Sequence, residues 1–327
     1  MKNFAYQRAG SLADAQRAAA DPAAMLLAGG TTLVDLAKCG VAVPDTVVDI
    51  SHLADLDTIA LDERGVSIGA LARMSWVADD PGIRQHFPAI SEALWQAASA
   101  QLRNMATIGG NLMQRTRCPY FRDPAAFPAC NKRTPGSGCA AIGGVTRNHA
   151  VLGTSPSCIA TNPGDLAVAL LAFDAEVDLG TRRVAIDDFF LLPGTTPERE
   201  HAIEPGEVIT AIHVPASPAA RNSTYLKVRD RQSYEFAAAS AAVGLELAPD
   251  GRTIADIRVA LGGVATKPWR ARGVEQALRG KTLTAEAVER AARAAVDGAV
   301  DHGDNRYKID LAPRVVARAI LNLGGLA

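Results

Sequence analysis

The alternation of hydrophobic and polar positions predicts a mixture of short strands and helices over the first two thirds of the chain. Apolar or alternating runs typical of strands occur at 25–28, 46–50, 66–70, 175–180 and 182–187. Apolar residues at helical spacing follow Gly30, fill 87–99 and recur at 166–173. This part of the chain therefore combines sheets and helices, as an α+β fold does.

The last third of the chain changes character. Strands are predicted at 225–229, 237–247 and 257–264, and helices follow at 271–278, 284–300 and 311–323. Strands first and helices afterwards are typical of an α+β domain whose sheet is covered on one face. The stretch 215–221 has the composition of a linker, so we predict one domain over 1–217 and a second over 218–327.

Length and charge narrow the class of protein. A chain of 327 residues is too long for one small module, and two domains are the expected number. Its 34 basic and 35 acidic residues give a net charge of −1, so bulk charge does not argue for binding to nucleic acid or to a membrane surface. The longest apolar stretches, 166–173 and 236–245, are shorter than the ~18 residues of a membrane span. We also expect no secretion signal, because the first residues lack an apolar stretch.

Two Gly-Gly turns, each beside threonine, are candidate binding elements. The first is Gly29–Thr32, between a predicted strand and a predicted helix, and the second lies within Ala106–Leu112. A glycine turn before a helix presents backbone N–H groups that bind phosphate. Neither turn matches the dinucleotide-binding pattern G-x-G-x-x-G or the P-loop pattern. The residues alone leave open whether the turns bind an extended anion or only reverse the chain.

The five cysteines are unevenly placed. Four of them, Cys118, Cys130, Cys139 and Cys158, lie close together in the sequence, and the fifth is Cys39. An odd number of cysteines in a chain of this size argues against a disulfide framework. Cys39 is interpreted as a buried small side chain at a helix end. The other four have proline, glycine and basic neighbours, which are typical of loops, and we interpret the segment 115–160 as a metal or cluster site.

The spacing of the four cysteines favours one metal centre over another without deciding between them. Structural zinc sites use close pairs such as C-x2-C, which are absent from this sequence segment. Four cysteines from one long loop suit a [4Fe–4S] cluster better. The segment also carries basic residues that either face the cluster or form a solvated or docking surface, namely Arg115, Arg117, Arg122, Lys132 and Arg133.

Four motifs in order give the chain a family resemblance. They are AGGTTLVDLAK, QLRNMATIGGNL, GDLAVAL and YLKVRDRQSYEFA. Together they resemble the FAD-binding (medium) subunit of the xanthine dehydrogenase and molybdenum hydroxylase family. This resemblance implies a two-subdomain FAD-binding domain of the PCMH type, similar to vanillyl-alcohol oxidase. It also implies an α+β C-terminal domain of the CO dehydrogenase flavoprotein type, with a three-stranded sheet plus helices.

The cysteine segment is similar to a subgroup of that family that inserts a [4Fe–4S] cluster beside the flavin, as in the FAD subunits of bacterial periplasmic aldehyde oxidoreductases. The resemblance implies that Cys118, Cys130, Cys139 and Cys158 are the cluster ligands. It implies FAD-binding roles for Leu27, Ala28, Gly29, Gly30, Thr31, Thr32, Leu33, Val34, Asp35, Thr107, Gly110, Asn111, Asp165, Ile209 and Lys227. Asp165 would meet the ribose or adenylate region, although its position also suits an N-cap. Ile209 and Lys227 would lie around the isoalloxazine ring, where a cation stabilises reduced flavin.

The activity that the resemblance implies is electron transfer within a heterotrimer. A large molybdopterin subunit would oxidise an aldehyde to a carboxylic acid, and a small subunit with two [2Fe–2S] clusters would pass the electrons to FAD on this chain. No catalytic residue is expected here beyond the flavin, and the external acceptor could be oxygen, a quinone, ferredoxin or NAD. We expect a periplasmic location through co-export with a signal-bearing partner, or else a cytoplasmic one.

Two alternatives remain open on the residues. A stand-alone flavin oxidoreductase of the same fold would need its own acid or base, for which His149 and Tyr234 are the candidates. A zinc-stabilised scaffold subunit would use the cysteines without redox chemistry.

Overall fold

The structure is a computed structural model that describes residues 1–326, in which the chain forms three sheets and the helices that cover them. The strands are β1 (Ala5–Arg8), β2 (Ala24–Leu27), β3 (Thr46–Asp49), β4 (Ile59–Asp62), β5 (Gly65–Gly69), β6 (Glu176–Asp178), β7 (Arg183–Ala185), β8 (Ala211–Pro215), β9 (Ser223–Val228), β10 (Ala239–Leu247), β11 (Ile254–Gly262) and β12 (Trp269–Arg270). The helices are α1 (Leu12–Ala19), α2 (Leu33–Lys38), α3 (Met74–Asp79), α4 (Pro81–His86), α5 (Pro88–Gln96), α6 (Ala100–Arg103), α7 (Ile108–Leu112), α8 (Pro119–Arg122), α9 (Leu166–Ala172), α10 (Ile186–Phe189), α11 (Pro218–Arg221), α12 (Arg272–Leu278), α13 (Ala285–Ala292) and α14 (Tyr307–Leu323), with a 3-10 helix at Arg293–Val296.

The N-terminal sheet is parallel and has the strand order β1-β3-β2. Ser11 caps α1 by accepting from the backbone N–H of Asp14, and Ala15 of that helix packs against Val48 and Ile50. Because β2 is parallel to its neighbour, the turn that follows it lies at the carboxyl edge of the sheet. Ligands commonly bind at that edge.

The second sheet is antiparallel, with the order β4-β5-β8-β6-β7. Its core contacts α5 and α9, and every residue of α9 is buried. The predicted strands at 66–70, 175–180 and 182–187 correspond to β5, β6 and β7. Strands β4 and β8 were missing from the prediction. β4 lies at the edge of the sheet and is mostly exposed, so it lacks the apolar run of a buried strand.

The C-terminal domain has one sheet whose own helices α12–α14 cover one face, while α5, α9 and α11 pack against the other face; the predicted α+β class is confirmed. The sheet has the order β12-β11-β10-β9, so it contains four strands where three were expected. The additional strand has only two residues, Trp269 and Arg270, and is too short to produce a pattern. The predicted linker at 215–221 instead includes α11, where Ser217 caps the helix and Ala219 and Ala220 are buried.

The cysteine segment, residues 115–160, contains one short helix, α8, and otherwise consists of turns and extended chain. Val151 and Leu152 belong to the hydrophobic core of the C-terminal domain. The backbone N–H of Val151 donates to the carbonyl of Val264 at 2.8 Å, and the Asn305 amide donates to the carbonyl of Ala150 at 2.9 Å. The C-terminal domain therefore holds the end of this segment in place.

Among residues 1–326, no helix combines the length and the apolar character that crossing a membrane requires.

Candidate functional site

A cleft of about 720 Å³ lies where the glycine turns, the cysteine segment and the C-terminal domain meet. Its lining includes Thr31, Thr32, Asp35, Gly110, Asn111, Gln114, Arg117, Cys118, Arg122, Asn148, His149, Asn162, Gly164, Asp165, Tyr234, Phe236 and Gly263. Most of these side chains are polar or charged. The cleft therefore suits a large polar ligand with anionic groups.

The two glycine turns touch each other at the wall of the cleft. A Cβ atom on Gly29 would lie 1.9 Å from the carbonyl oxygen of Met105, which precedes the second turn. Gly30 has a positive φ of +72°, in the left-handed region that favours glycine. The Gly-Gly sequence is therefore needed for two separate reasons: a close backbone contact at Gly29 and a left-handed turn at Gly30.

The first turn presents a row of free hydrogen-bond donors. Within the part of the chain that the structure describes, no protein acceptor takes a bond from the backbone N–H groups of Gly29, Gly30, Thr31, Thr32 and Leu33. Unpaired backbone donors need a partner, and a phosphate group accepts several of them at once. Thr31 and Thr32 line the cleft, so the turn fits a pyrophosphate there.

In the second turn, the side chain of Asn111 lines the cleft, whereas that of Thr107 hydrogen-bonds within the turn. Asn111 lines the cleft, and its buried Oδ1 has no hydrogen-bond partner among the described residues. Thr107 instead caps α7, because its Oγ1 accepts from the N–H of Gly110 at 3.3 Å. A buried unpaired amide oxygen is costly, so Asn111 fits a ligand that donates a hydrogen bond.

Asp165 is held by a buried hydrogen-bond network behind the cleft. Its Oδ1 accepts from the hydroxyl of Tyr225 at 2.6 Å and its Oδ2 from the Nζ of Lys227 at 2.8 Å. Burial raises the pKa of the Asp165 carboxyl. The interpretation of Asp165 as a side-chain N-cap is wrong, because its carboxylate makes no bond to the first turn of α9. Lys227 also donates to the carbonyl of Gln96 at 3.0 Å.

The predicted FAD-binding residues divide into two groups in the structure. Those that line the cleft are Thr31, Thr32, Asp35, Gly110, Asn111 and Asp165. Those that lie outside its lining are Leu27, Ala28, Gly29, Gly30, Leu33, Val34, Thr107, Ile209 and Lys227. Ile209 belongs to the hydrophobic core between the second sheet and helices α5 and α9, and the side chain of Lys227 is 1% exposed. Gln114 and Asn162 line the cleft but were not predicted; the Asn-Pro-Gly turn at Asn162 is the signal that marks this stretch.

The basic residues of the cysteine segment form internal contacts and are largely buried, so they are not simply a solvated loop; docking of a neighbouring subunit by them stays a prediction. Asp35 Oδ2 accepts from Arg117 Nη1 at 2.9 Å and from Arg122 Nη2 at 2.6 Å. Arg133 donates to the carbonyls of Tyr120 and Phe121, each at 2.6 Å. The ion pairs at Asp35 join the first glycine turn to the stretch around Cys118.

Four cysteines surround one small cavity. Cys118, Cys130, Cys139 and Cys158 all line it, and Cys130 pairs with Cys139 through a backbone bridge. Burial raises the pKa of the Cys118 thiol to about 12 and also raises that of Cys158. Cys39 is not among the lining residues; its Sγ lies 3.7 Å from Arg122 Nη2.

Asn131 organises the turns of this cavity. Its Oδ1 accepts from the N–H of Gly138 at 2.8 Å, and its Nδ2 donates to the carbonyl of Ser157 at 2.9 Å. The backbone N–H of Ala160 donates to Cys158 Sγ at 3.4 Å, a contact that favours a thiolate. The arrangement brings together three stretches of chain that the sequence separates.

The cysteines do not form the close cluster that a single ion needs. Over residues 1–326 we find no group of three or more His, Cys, Asp or Glu side chains with that geometry. The ligands of one tetrahedral zinc ion lie about 4 Å apart, since each Zn–S bond is about 2.3 Å.

His149 and Tyr234, the candidate acid and base of a stand-alone enzyme, both line the cleft. The Nε2 of His149 lies 3.2 Å from Cys118 Sγ, and burial lowers the pKa of this imidazole to about 4. Tyr234 is 58% exposed and has a positive φ of 53°. The Nε2 of His149 is therefore directed to Cys118.

Known families match both parts of the chain. Residues 2–217 match the FAD binding domain in molybdopterin dehydrogenase, and residues 224–323 match the CO dehydrogenase flavoprotein C-terminal domain. The chain belongs to the FAD-binding subunits of the molybdenum hydroxylase family. The prediction of an oxidoreductase subunit that binds FAD is thereby confirmed.

Individual relatives cover nearly the whole chain. The FAD-binding subunit of aldehyde oxidoreductase from Escherichia coli strain K12 is 43% identical over 327 residues, covering 98% of each chain. The carbon monoxide dehydrogenase medium chain of Hydrogenophaga pseudoflava is 30% identical, covering 91% of this chain and 88% of its own. A solved structure of carbon monoxide dehydrogenase from Hydrogenophaga pseudoflava superimposes with a TM-score of 0.76 at 27% identity, covering 99% of this chain and 98% of the other. The predicted fold class is confirmed by this match.

Proposed function

We propose that this chain is the electron-transfer subunit of a heterotrimeric molybdenum hydroxylase and carries both FAD and a [4Fe–4S] cluster. The observation that carries the proposal is the position of Cys118, which lines both the cleft and the cysteine cavity. Groups bound in the two spaces would be immediate neighbours. Close spacing of two redox groups is what a protein supplies to an electron-transfer chain.

In the cleft, the residues of the chain bind and orient the flavin nucleotide. The free amides of Gly29–Leu33 would hold the pyrophosphate, and the side-chain amide of Asn111 would bind a polar group of the ligand. Asp165, fixed by Tyr225 and Lys227, would accept a bond from the nucleotide. FAD supplies the chemistry, accepting electrons and passing them to the external acceptor.

In the cavity, Cys118, Cys130, Cys139 and Cys158 would ligate the cluster through their thiolates. Burial makes the thiols of Cys118 and Cys158 hard to ionise without a metal, so cluster binding would release their protons. The backbone N–H that reaches Cys158 would lower the electron density on that sulfur.

The relatives support the proposal for the partners and the substrate. The Escherichia coli relative is a subunit of an aldehyde oxidoreductase, which supports oxidation of an aldehyde to a carboxylic acid as the reaction of the complex. The partners would be a large molybdopterin subunit and a small subunit with two [2Fe–2S] clusters, which would deliver electrons to this chain. Export of the folded complex by a signal-bearing partner would place it in the periplasm; without such a partner it would be cytoplasmic.

The experiment is cofactor analysis of the complex purified from co-expression of the three subunits. We expect flavin absorbance near 450 nm and iron and acid-labile sulfide beyond that of two [2Fe–2S] clusters. Substitution of Cys118, Cys130, Cys139 or Cys158 by serine should remove about four iron atoms per complex. The matched control Cys39→Ser should leave iron unchanged. Stoichiometric zinc in place of the extra iron, or iron loss in Cys39→Ser alone, would overturn the assignment.

A further inference from the structure

A buried carboxylate outside the cysteine segment is paired with two cations of that segment. Glu200 lies in the stretch between α10 and β8, and its Oε2 accepts from Arg115 Nε at 2.8 Å. Its Oε1 lies 2.6 Å from Lys132 Nζ. The side chains of Glu200 and Lys132 are only 15% and 9% exposed. Burial raises the pKa of Glu200, but Lys132 and Arg115 outweigh burial and hold it below its ordinary value, so the group is an anion at neutral pH.

This group of ion pairs, formed by Arg115, Lys132 and Glu200, is adjacent to a proposed ligand of the [4Fe–4S] cluster. Lys132 and Glu200 line a small pocket together with Cys158. Lys132 lies between Cys130 and Cys139 in the sequence, and its Nζ also donates to the carbonyl of Pro197 at 3.0 Å. The contacts of Lys132 Nζ with Glu200 and with the Pro197 carbonyl therefore fix the position of its charge relative to the cysteines.

The charge balance of this pocket is uneven. Two cations share one carboxylate, which leaves a local charge of +1; the neighbouring Arg199 has its own partner, Glu204, at 3.0 Å. Charges buried in protein are weakly screened, so each unit of charge acts on a nearby redox centre. Positive charge favours the reduced, more negative form of an iron–sulfur cluster and raises its potential.

We propose that Glu200 is a positioning residue that holds Lys132 beside the cluster and cancels one of the two charges of Lys132 and Arg115, thereby lowering the reduction potential of the cluster. The inference rests on the [4Fe–4S] cluster of the proposed function. In this proposal Glu200, which is distant in sequence from the cysteines, sets how readily the cluster passes its electron to the flavin. No bond is made or broken by Glu200 itself.

The test is a redox titration of the purified heterotrimer, followed by electron paramagnetic resonance of the [4Fe–4S] signal. Glu200→Gln raises the local charge to +2, so we expect a higher midpoint potential than in the wild type. Lys132→Met lowers the local charge to zero and should lower the potential. The double variant restores +1 and should return the potential close to the wild-type value. The control Glu207→Gln removes a carboxylate paired with Arg182 at 2.7 Å, in a contact that involves none of the cysteine segment, and should leave the potential unchanged.

The outcomes separate this inference from the function on which it rests. A wild-type complex without a [4Fe–4S] signal would contradict the proposed function. If the wild type shows the signal but Glu200→Gln and Lys132→Met both have the wild-type midpoint potential, the charge role of Glu200 is contradicted. If Glu200→Gln alone fails to load iron, the double variant is compared with Lys132→Met, from which it differs only in the Glu200 carboxylate. A higher midpoint potential in the double variant supports the charge role of Glu200, and equal midpoints contradict it.

Discussion

The contact between the two glycine turns predicts a severe effect of one methyl group. In Gly29→Ala the new Cβ would lie 1.9 Å from the carbonyl oxygen and 2.7 Å from the carbonyl carbon of Met105. Ordinary contact begins at about 3.4 Å, so the two backbones must separate by about 1.5 Å. Neither atom belongs to a flexible side chain that could rotate away. The strain must therefore be relieved by moving the turns that form the wall of the cleft.

The expected loss of stability in Gly29→Ala follows from the free-energy cost of overpacking in well-packed regions. Such substitutions destabilise by about 1–3 kcal/mol, and a clash between two backbones belongs at the upper end of that range. A loss of about 3 kcal/mol lowers the ratio of folded to unfolded protein by about 100-fold. Because the same displacement moves the free amides of the first turn, we expect the variant to lose FAD.

The assay measures flavin content by the ratio of absorbance at 450 nm to that at 280 nm, and stability by urea unfolding. Gly40→Ala is the matched control: it has a positive φ of +71°, but the nearest atom to its Cβ is 4.0 Å away. It should cost about 1 kcal/mol of backbone strain and keep its FAD. Full flavin content and an unchanged unfolding midpoint in Gly29→Ala would refute the reasoning.

Two further predictions concern buried polar groups. Asp165→Asn leaves the Lys227 ammonium buried without its carboxylate and should lower the free energy of unfolding by about 3–5 kcal/mol. Adding Lys227→Met removes the unpaired charge and should restore part of the loss. Equal urea midpoints for the single and the double variant would contradict this. Burial lowers the pKa of His201 to about 4 in the folded protein, whereas the pKa of a histidine in the unfolded chain is about 6.5. As the pH falls below about 6.5, His201 is protonated in the unfolded chain before it is protonated in the folded protein. The free energy of unfolding should therefore be about 2 kcal/mol lower at pH 5 than at neutral pH. His201→Gln keeps a donor for the Leu112 carbonyl and should remove that acid-dependent loss, as urea unfolding at pH 7 and pH 5 would show.

Features that depend on neighbouring residues could be predicted from the sequence. The strand and turn around Gly29 and the buried helix at 166–172 follow from local hydrophobic patterns, and the structure contains both. The separation of Cys39 from the other four cysteines was also predicted from local composition, and Cys39 is absent from the lining of the cysteine cavity. These features are carried by residues that are close together in the chain, where periodicity and turn chemistry act.

Features that depend on distant residues were decided by the tertiary structure. Nothing in the sequence around Asp165 indicates that its carboxylate bonds to Tyr225 and Lys227 instead of capping its own helix. The ion pairs of Asp35 and Glu200 join residues that lie more than 60 positions apart in the chain. The sequence by itself determined many of the elements, the family resemblance and the candidate ligands. Which charges pair, which glycine touches another backbone and which cysteines share a cavity depend on how distant segments pack, because burial and contact are properties of the folded chain.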